Sequence, residues 1–366
     1  MKNKRNVLWL CGAGLVLLMM IGSILWFGNE KEEDTITVGV ILPGSSEEPG
    51  WNGIHYQGIK TACDELGMKI KLYENVAEYS GECEEAIQEM AEEGIRIIFL
   101  ESYNYPDEVG ETIEKYPEIA FYCCSEESNM ENYTNYFARV YQARYLSGIV
   151  AGMTTTSQHV GYVAAMDNSE VNRGINAFAL GVRSVCPEAV VHVVYTGAWD
   201  DGDREKSEAA ALVENCGVDV LTYHQNQPFI VEEAEELGVD VIGFNIVQGE
   251  HSDYLLTSVV SNWDMVYREI LGDYLQKKES GSHNYWIGIE KNAVGLAFYS
   301  DRVSQEVRNA VAEAADQLRN DREVFSGTIY DNTGNLRCDE NEVVRDEVLL
   351  NQMDWLVEGV EVYEIN

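Results

Sequence analysis

Basic residues are scarce in this 366-residue chain: 25 lysines and arginines stand against 63 aspartates and glutamates, a formal net charge of −38. A surface this negative repels phosphate backbones and anionic lipid head groups, so nucleic acid is not expected as a partner. Its ordinary meaning is solubility in a salty or acidic exterior. No acidic run is long enough to read as a disordered tail. Clustered metal ligands are lacking too. The eight cysteines, at 11, 63, 83, 123, 124, 186, 216 and 338, form no CxxC pair and no Cys/His group with zinc-ligand spacing. No structural metal is expected. Cys123 and Cys124 close an apolar run (IAFYCC), which implies burial of at least one, and no disulfide is assigned. The signatures of common enzymes are also missing: there is no GxGxxG after the first apolar strand, no P-loop, no GxSxG and no HExxH. Ser45 and Ser46 lie near His55 in sequence, but nothing orients a base. Neither an enzyme nor a cofactor is expected.

What is present begins with a hydrophobic segment. Lys2, Lys4 and Arg5 precede an uncharged apolar stretch, 7–27, whose 21 residues would span about 30 Å as a helix, the thickness of a hydrocarbon core. Glu30, Glu32, Glu33 and Asp34 follow it. Positive charge on one flank alone puts the body of the protein outside the cytoplasm. Residues 1–34 are either a cleaved signal peptide, with Ile21-Gly22-Ser23 as a weak cleavage site, or an uncleaved signal anchor, which the length of the apolar stretch favours. Cys11 follows Leu-Trp-Leu and comes too early for a lipidation site.

Beyond it, short apolar runs alternate with amphipathic stretches. Strands are expected at 35–42, 69–73, 95–101 and 119–123, with helices at 51–66, 81–93 and 107–116 between them. A second series has helices at 139–153, 170–185, 203–215 and 228–237 and strands at 159–165, 190–195, 218–223 and 239–244. Such alternation builds parallel sheets from βαβ units, and a length prior of about 150 residues per domain makes two of them. The fold class is α/β, two doubly wound domains. In such sheets ligands sit at the carboxyl ends of the strands, here in the cleft between domains.

The informative residues therefore follow strands: Ser46, Trp51 and Asn52 after the first, Tyr103 after 95–101, Asn168 after 159–165, Trp199 after 190–195, His224, Gln225 and Asn226 after 218–223, and Asn245 after 239–244. Aromatic faces stack on a flat ligand, and amides distinguish its donors from its acceptors. The alternative for Trp51 is packing at a helix start, and for His224 an ordinary satisfied place at a strand end. Arg139 and Arg144, on the helix joining the two series, are expected to form salt bridges between elements. Asn132-Tyr133-Thr134 spells a glycosylation sequon, a triplet common by chance.

Seven segments together carry a resemblance: VGVILPG (38–44) with GWNGIHYQG (50–58), YFARVYQARYLSGIVAG (136–152), VGYVAAMDNSEVNRGINAFALGVRSVCP (160–187), GVDVLTYHQNQP (217–228), LTSVVSNW (256–263) and KNAVGLAFYSDRV (291–303). In order and spacing the chain resembles the basic membrane protein family of ABC-transporter solute-binding lipoproteins, which includes purine and purine-nucleoside binders. The resemblance implies a type I periplasmic-binding fold with three crossovers: one domain at 35–137 plus 254–290, a second at 138–253 plus 291–330, and a tail, 331–366, packed back across the hinge. It implies a purine-like ligand sandwiched by Trp51 and Trp199 and hydrogen-bonded by Asn52, Gln225, Asn226 and Asn245. Three positions depart from the family pattern: Glu48 and Asn226 stand where many relatives have Asp, and Lys291 falls one place after the usual Lys, where this chain has Glu290. The implied partners are ABC permease subunits and, through the N-terminal segment, the membrane. A monomer is expected. The second functional class is a membrane-anchored ligand sensor or regulator of the same family.

Overall fold

The computed structural model describes residues 35–48, 50–102, 104–124, 130–247, 252–277, 284–320 and 322–364. The N-terminal segment and Tyr103 thus lie outside the described residues. Among the described residues no helix is long and apolar enough to cross a membrane.

The first lobe is a sheet of β1 (Thr37–Ile41), β2 (Lys69–Tyr73), β3 (Ile97–Leu100), β4 (Ala120–Cys123), β5 (Tyr133–Ala138) and β11 (Tyr285–Ile287), in the order β11-β5-β4-β3-β1-β2. Every pairing is parallel. A parallel sheet is covered on both faces, so its inner strands are apolar throughout; β3 and β4 (IIFL and AFYC) are buried at every residue. The crossovers are α1 (Trp51–Leu66), α2 (Glu82–Glu92) and α3 (Tyr105–Lys115).

The second lobe has β6 (His159–Ala164), β7 (Val190–Tyr195), β8 (Val220–His224), β9 (Asp240–Phe244), β10 (Leu255–Ser261), β12 (Val294–Leu296) and β15 (Val360–Val362), ordered β12-β10-β9-β8-β6-β7-β15. Only β12 runs antiparallel to its neighbour. Its helices include α4 (Val140–Thr154), α5 (Ser169–Val185), α6 (Gly202–Cys216) and α7 (Phe229–Leu237). α4 and α5 pack closely because glycines face each other: a Cβ on Gly148 would lie 2.1 Å from the Phe178 carbonyl oxygen, and one on Gly181 2.1 Å from that of Tyr145.

The chain passes between lobes three times: from β5 into α4, from β10 into α8 (Trp263–Leu275), which packs on α1, and from β11 into β12 through a 3-10 turn, Ile289–Lys291. Two sequence expectations are corrected. The sequence assigns 254–290 to the first domain, but β10, which lies within that range, is hydrogen-bonded on both edges by β9 and β12 of the second sheet. The return to the first lobe therefore starts at α8. β5 was not expected at all, since its polar Thr134 and Asn135 break the apolar pattern; pairing with β4 on one side and β11 on the other buries it.

After β12 come α9 (Gln305–Arg319) and a hairpin of β13 (Ile329–Tyr330) and β14 (Leu336–Cys338) that leads into the tail, which carries α10 (Asp346–Asn351) and finally β15. One face of α5 holds it by backbone contacts. Asn172 donates to the Met353 carbonyl (3.2 Å), Arg173 to that of Leu349 (2.6 Å) and Asn176 to that of Trp355 (2.8 Å). The tail also reaches the first crossover, where Arg139 binds Asp346 at 2.6 Å. Arg139 further donates to the Trp286 carbonyl at 3.0 Å and lies 4.1 Å over that indole, so one guanidinium ties two crossovers and the tail together.

Candidate functional site between the lobes

At the carboxyl end of β3 the apolar run stops at Glu101, which is fully buried. A carboxylate there needs donors, and the neighbouring elements supply them. The Tyr136 hydroxyl from β5 lies 2.6 Å from each of its oxygens, and the Tyr267 hydroxyl from α8 donates at 2.9 Å. His55 Nδ1, from α1, is 3.0 Å from Glu101 and 2.6 Å from Tyr267. Burial, then the Glu101 charge, pushes both phenols well above their ordinary range. His55 is held between two indoles, 4.1 Å from Trp51 and 4.0 Å from Trp263, centroid to centroid. The Trp51 N–H donates to the Glu101 carbonyl oxygen at 2.9 Å. Trp51 is thus a half-buried ring fixed on a hydrogen-bonded base. None of Glu101, Tyr136, Tyr267 and His55 was singled out from the sequence as part of a site. The available signals were a charge ending an apolar strand and a histidine one helical turn after a tryptophan.

The loop after β1 is closed on itself. Asn52 donates to Glu48 at 2.5 Å and accepts from the Gly44 N–H at 3.2 Å. Ser46 donates its hydroxyl to Glu74 at 2.6 Å. Both of these expected ligand contacts have their side chains engaged as loop clips here.

On the second lobe, His224 ends β8 and is buried. Trp199 meets it edge-on at 5.7 Å and Phe244, at the end of β9, at 4.7 Å. Burial, then the nearby Arg144 and Arg173 charges, holds His224 well below its ordinary range, so the imidazole is neutral. Gln225 donates to the Thr196 hydroxyl at 2.9 Å while its own carbonyl oxygen is buried and, among the described residues, without a partner. The Asn226 N–H donates to the Trp199 carbonyl at 3.0 Å, joining two of the expected loops; its side chain is exposed. Asn245 takes a left-handed φ of 58°, which asparagine tolerates, with its N–H bound to the Val259 carbonyl at 2.8 Å. Glu170, 4.0 Å from His224, is raised above the usual carboxylate range by burial, an effect opposed by Arg173 and Arg144.

Trp199, His224, Gln225, Asn226 and Asn245 therefore share the carboxyl-terminal edge of the second sheet, and Trp51 stands at that of the first. The loops approach one another: a Cβ built on Gly50 would lie 4.0 Å from Gln227 Nε2. Two expected residues are employed otherwise. Asn168 caps α5, accepting from the Val171 N–H at 3.0 Å. Lys291 sits on the 3-10 turn in an exposed ion pair with Glu269 of α8 at 3.2 Å, joined to neither aromatic group. The sequon asparagine, Asn132, donates its amide to the carbonyls of Ile113, Tyr116 and Ile119.

The two connecting arginines differ. Arg139 forms its expected salt bridge. Arg144, expected to form one, does not: it is fully buried on α4, and among the described residues none of its three nitrogens has a hydrogen-bond partner. Its guanidinium lies 4.4 Å over the Phe244 ring and 5.4 Å over that of Tyr162.

Two α/β lobes with three crossovers and aromatic and amide groups at facing strand ends define a type I solute-binding protein. Residues 35–333 match the family Bmp, described as ABC transporter substrate-binding protein PnrA-like, and the chain belongs to that family. It is a family of substrate-binding proteins rather than enzymes, and such proteins are extracytoplasmic. The chain is 31% identical over 340 residues to a protein of Haloferax volcanii described as an ABC transporter glucose-binding protein, covering 91% of this chain and 82% of that one. It is 29% identical over 350 residues to a purine-binding protein of Brucella abortus, covering 94% and 99%. Its fold matches the crystal structure of a transcriptional activator of the comK gene from Bacillus halodurans with a TM-score of 0.70 at 24% identity, covering 78% of this chain and 98% of that one.

Proposed function

We propose that this protein captures a purine base or nucleoside in the cleft between its lobes and presents it, lobes closed, to an ABC permease. The observation that carries the reading is the set of rings at facing strand ends: Trp51 fixed on the Glu101–His55 base, and Trp199 with Phe244 around a neutral His224. Stacking suits a flat heteroaromatic ligand. The purine-binding relative supports it. A ligand touching both lobes favours the closed state by its differential affinity, and the three crossovers at Arg139, Trp263 and Ile287 form the hinge. Residues 1–34 hold the protein, as a monomer, on the outer face of the membrane.

The likeness to a transcriptional activator supports a second reading, in which the same cleft senses a ligand rather than delivering it. Calorimetric titration of the full chain with purine bases, nucleosides, glucose and amino acids tests the ligand class. Binding of purines alone upholds the reading, and binding of glucose alone overturns it. Uptake of labelled ligand by cells with and without the gene then separates delivery from sensing.

A further inference from the structure

A buried guanidinium without partners is costly to keep, because arginine does not lose its proton and carries five N–H donors and no acceptor. Arg144 is such a group. Its surroundings hold other unmet polar atoms. A Cβ on Gly174 would lie 3.3 Å from the Tyr162 hydroxyl, 3.7 Å from His224 Nδ1 and 3.9 Å from Arg144 Cγ, so the three side chains converge on one small space. The Tyr162 hydroxyl and His224 Nδ1 are both buried and without partners among the described residues. The glycine keeps that space free of a side chain. Phe244, half-buried, covers the guanidinium and meets His224 edge-on. Its displacement by an entering ring would uncover both. Two acceptors stand by the other edge of His224 and its strand end: Glu170, 4.0 Å from His224 Nε2, and the Gln225 oxygen, buried and without a partner among the described residues.

Resting on the purine reading above, we propose that Arg144 is the specificity-determining residue of the cleft and that it selects 6-oxopurines, as bases or nucleosides, over 6-aminopurines. A 6-oxopurine offers two adjacent acceptors, O6 and N7, which an arginine fork matches; adenine offers N7 beside an amino donor. Next to O6 the oxopurine carries the N1–H donor, which a carboxylate such as Glu170 accepts. The amino compound would set donor against donor at Arg144 and leave its charge unmet.

The test is calorimetric titration of the full chain with hypoxanthine, inosine, adenine and adenosine, in wild type, Arg144→Lys and Arg144→Met, with melting curves of each protein without ligand. Wild type is expected to prefer each oxo compound about tenfold to a hundredfold, the worth of a hydrogen bond to a charged group. In Arg144→Met that preference should fall towards one, with Arg144→Lys between. Without ligand, Arg144→Met should melt at the wild-type temperature or above it, because an apolar chain replaces an unpaired charge. Equal wild-type affinity for inosine and adenosine overturns the inference while leaving the purine reading standing. A preference that survives in Arg144→Met, or a variant that melts lower and loses both classes equally, also overturns it and makes Arg144 structural. Failure of all four compounds to bind refutes the purine reading itself, and this inference with it.

Discussion

Glu205 provides a pH test of the loop that presents Trp199. It lies in the first turns of α6, is fully buried, and accepts from the Asp201 N–H at 3.2 Å through one oxygen; the other oxygen has no partner among the described residues. Burial raises its pKa from 4.5 to about 7; the Asp201 N–H opposes the rise, and the Asp200 and Asp201 charges add to it. In the folded state the group holds its proton to higher pH than in the unfolded chain. Its contribution to stability is therefore complete below about pH 4.5 and is lost as pH rises through about 7. At about 1.4 kcal/mol for each pH step, that interval corresponds to about 3 kcal/mol as an upper bound. Glutamine keeps the acceptor for Asp201 and cannot ionise. The other carboxylates affect wild type and variant alike, so the difference between them isolates Glu205. Chemical denaturation of wild type and Glu205→Gln from pH 4.5 to pH 8.5 should show the variant gaining on wild type by about 1–3 kcal/mol, the gain accumulating between about pH 4.5 and 7 and levelling off above that. A difference that stays constant across the range would refute the burial argument.

Three further outcomes are expected. Trp199→Ala should weaken purine binding by about 1–3 kcal/mol, the worth of one stacked base; undiminished affinity by calorimetry would remove it from the site. Tyr136→Phe takes one of three donors from the buried Glu101 and should cost about 1–3 kcal/mol in urea denaturation; a neutral result would mean that Glu101 is satisfied by the other two. Asp346→Asn loosens the Arg139 tie between crossovers and tail, but Asp346 is more than half exposed, so the loss should stay below about 1 kcal/mol; a larger drop in thermal melts would show that the tail carries the hinge.

The parts legible in the sequence were those dictated by periodicity. The inner strand β7 (190–195) is an almost unbroken apolar run and the edge strand β2 (69–73) alternates lysine with apolar residues; both fell on their expected residues, and most other expected elements within about two residues. β5 escaped because its polar Thr134 and Asn135 become buried only once β4 and β11 flank the strand, and β11 lies far along the chain, Tyr285 pairing with Tyr136. The same distinction separates the site residues. That Trp199, His224, Gln225, Asn226 and Asn245 lie together follows from the rule that loops after parallel strands share one edge. What each side chain does there does not follow, because it depends on partners remote in sequence. Asn52 and Ser46 have the residue types of ligand contacts and are engaged as loop clips, since Glu48 and Glu74 reach them first.

Arg144 is the converse case. On a helix between two lobes rich in carboxylates, an arginine invites the expectation of a salt bridge, and with 63 acidic residues in the chain a partner should be easy to find. Arg139, five residues earlier, has one at 2.6 Å. The difference lies in burial. Arg139 opens onto the surface where Asp346 can approach, while Arg144 is fully buried against the rings of Tyr162 and Phe244, and the nearby Glu170, 4.0 Å from His224, makes no hydrogen bond to it among the described residues. Leaving that charge unpaired weakens the empty protein and reserves its hydrogen bonds for whatever fills the cleft. On this argument the instability of the empty cleft and the selectivity of the filled one have a single source, which is why the melting temperature and the ligand preference of Arg144→Met are expected to move in opposite directions.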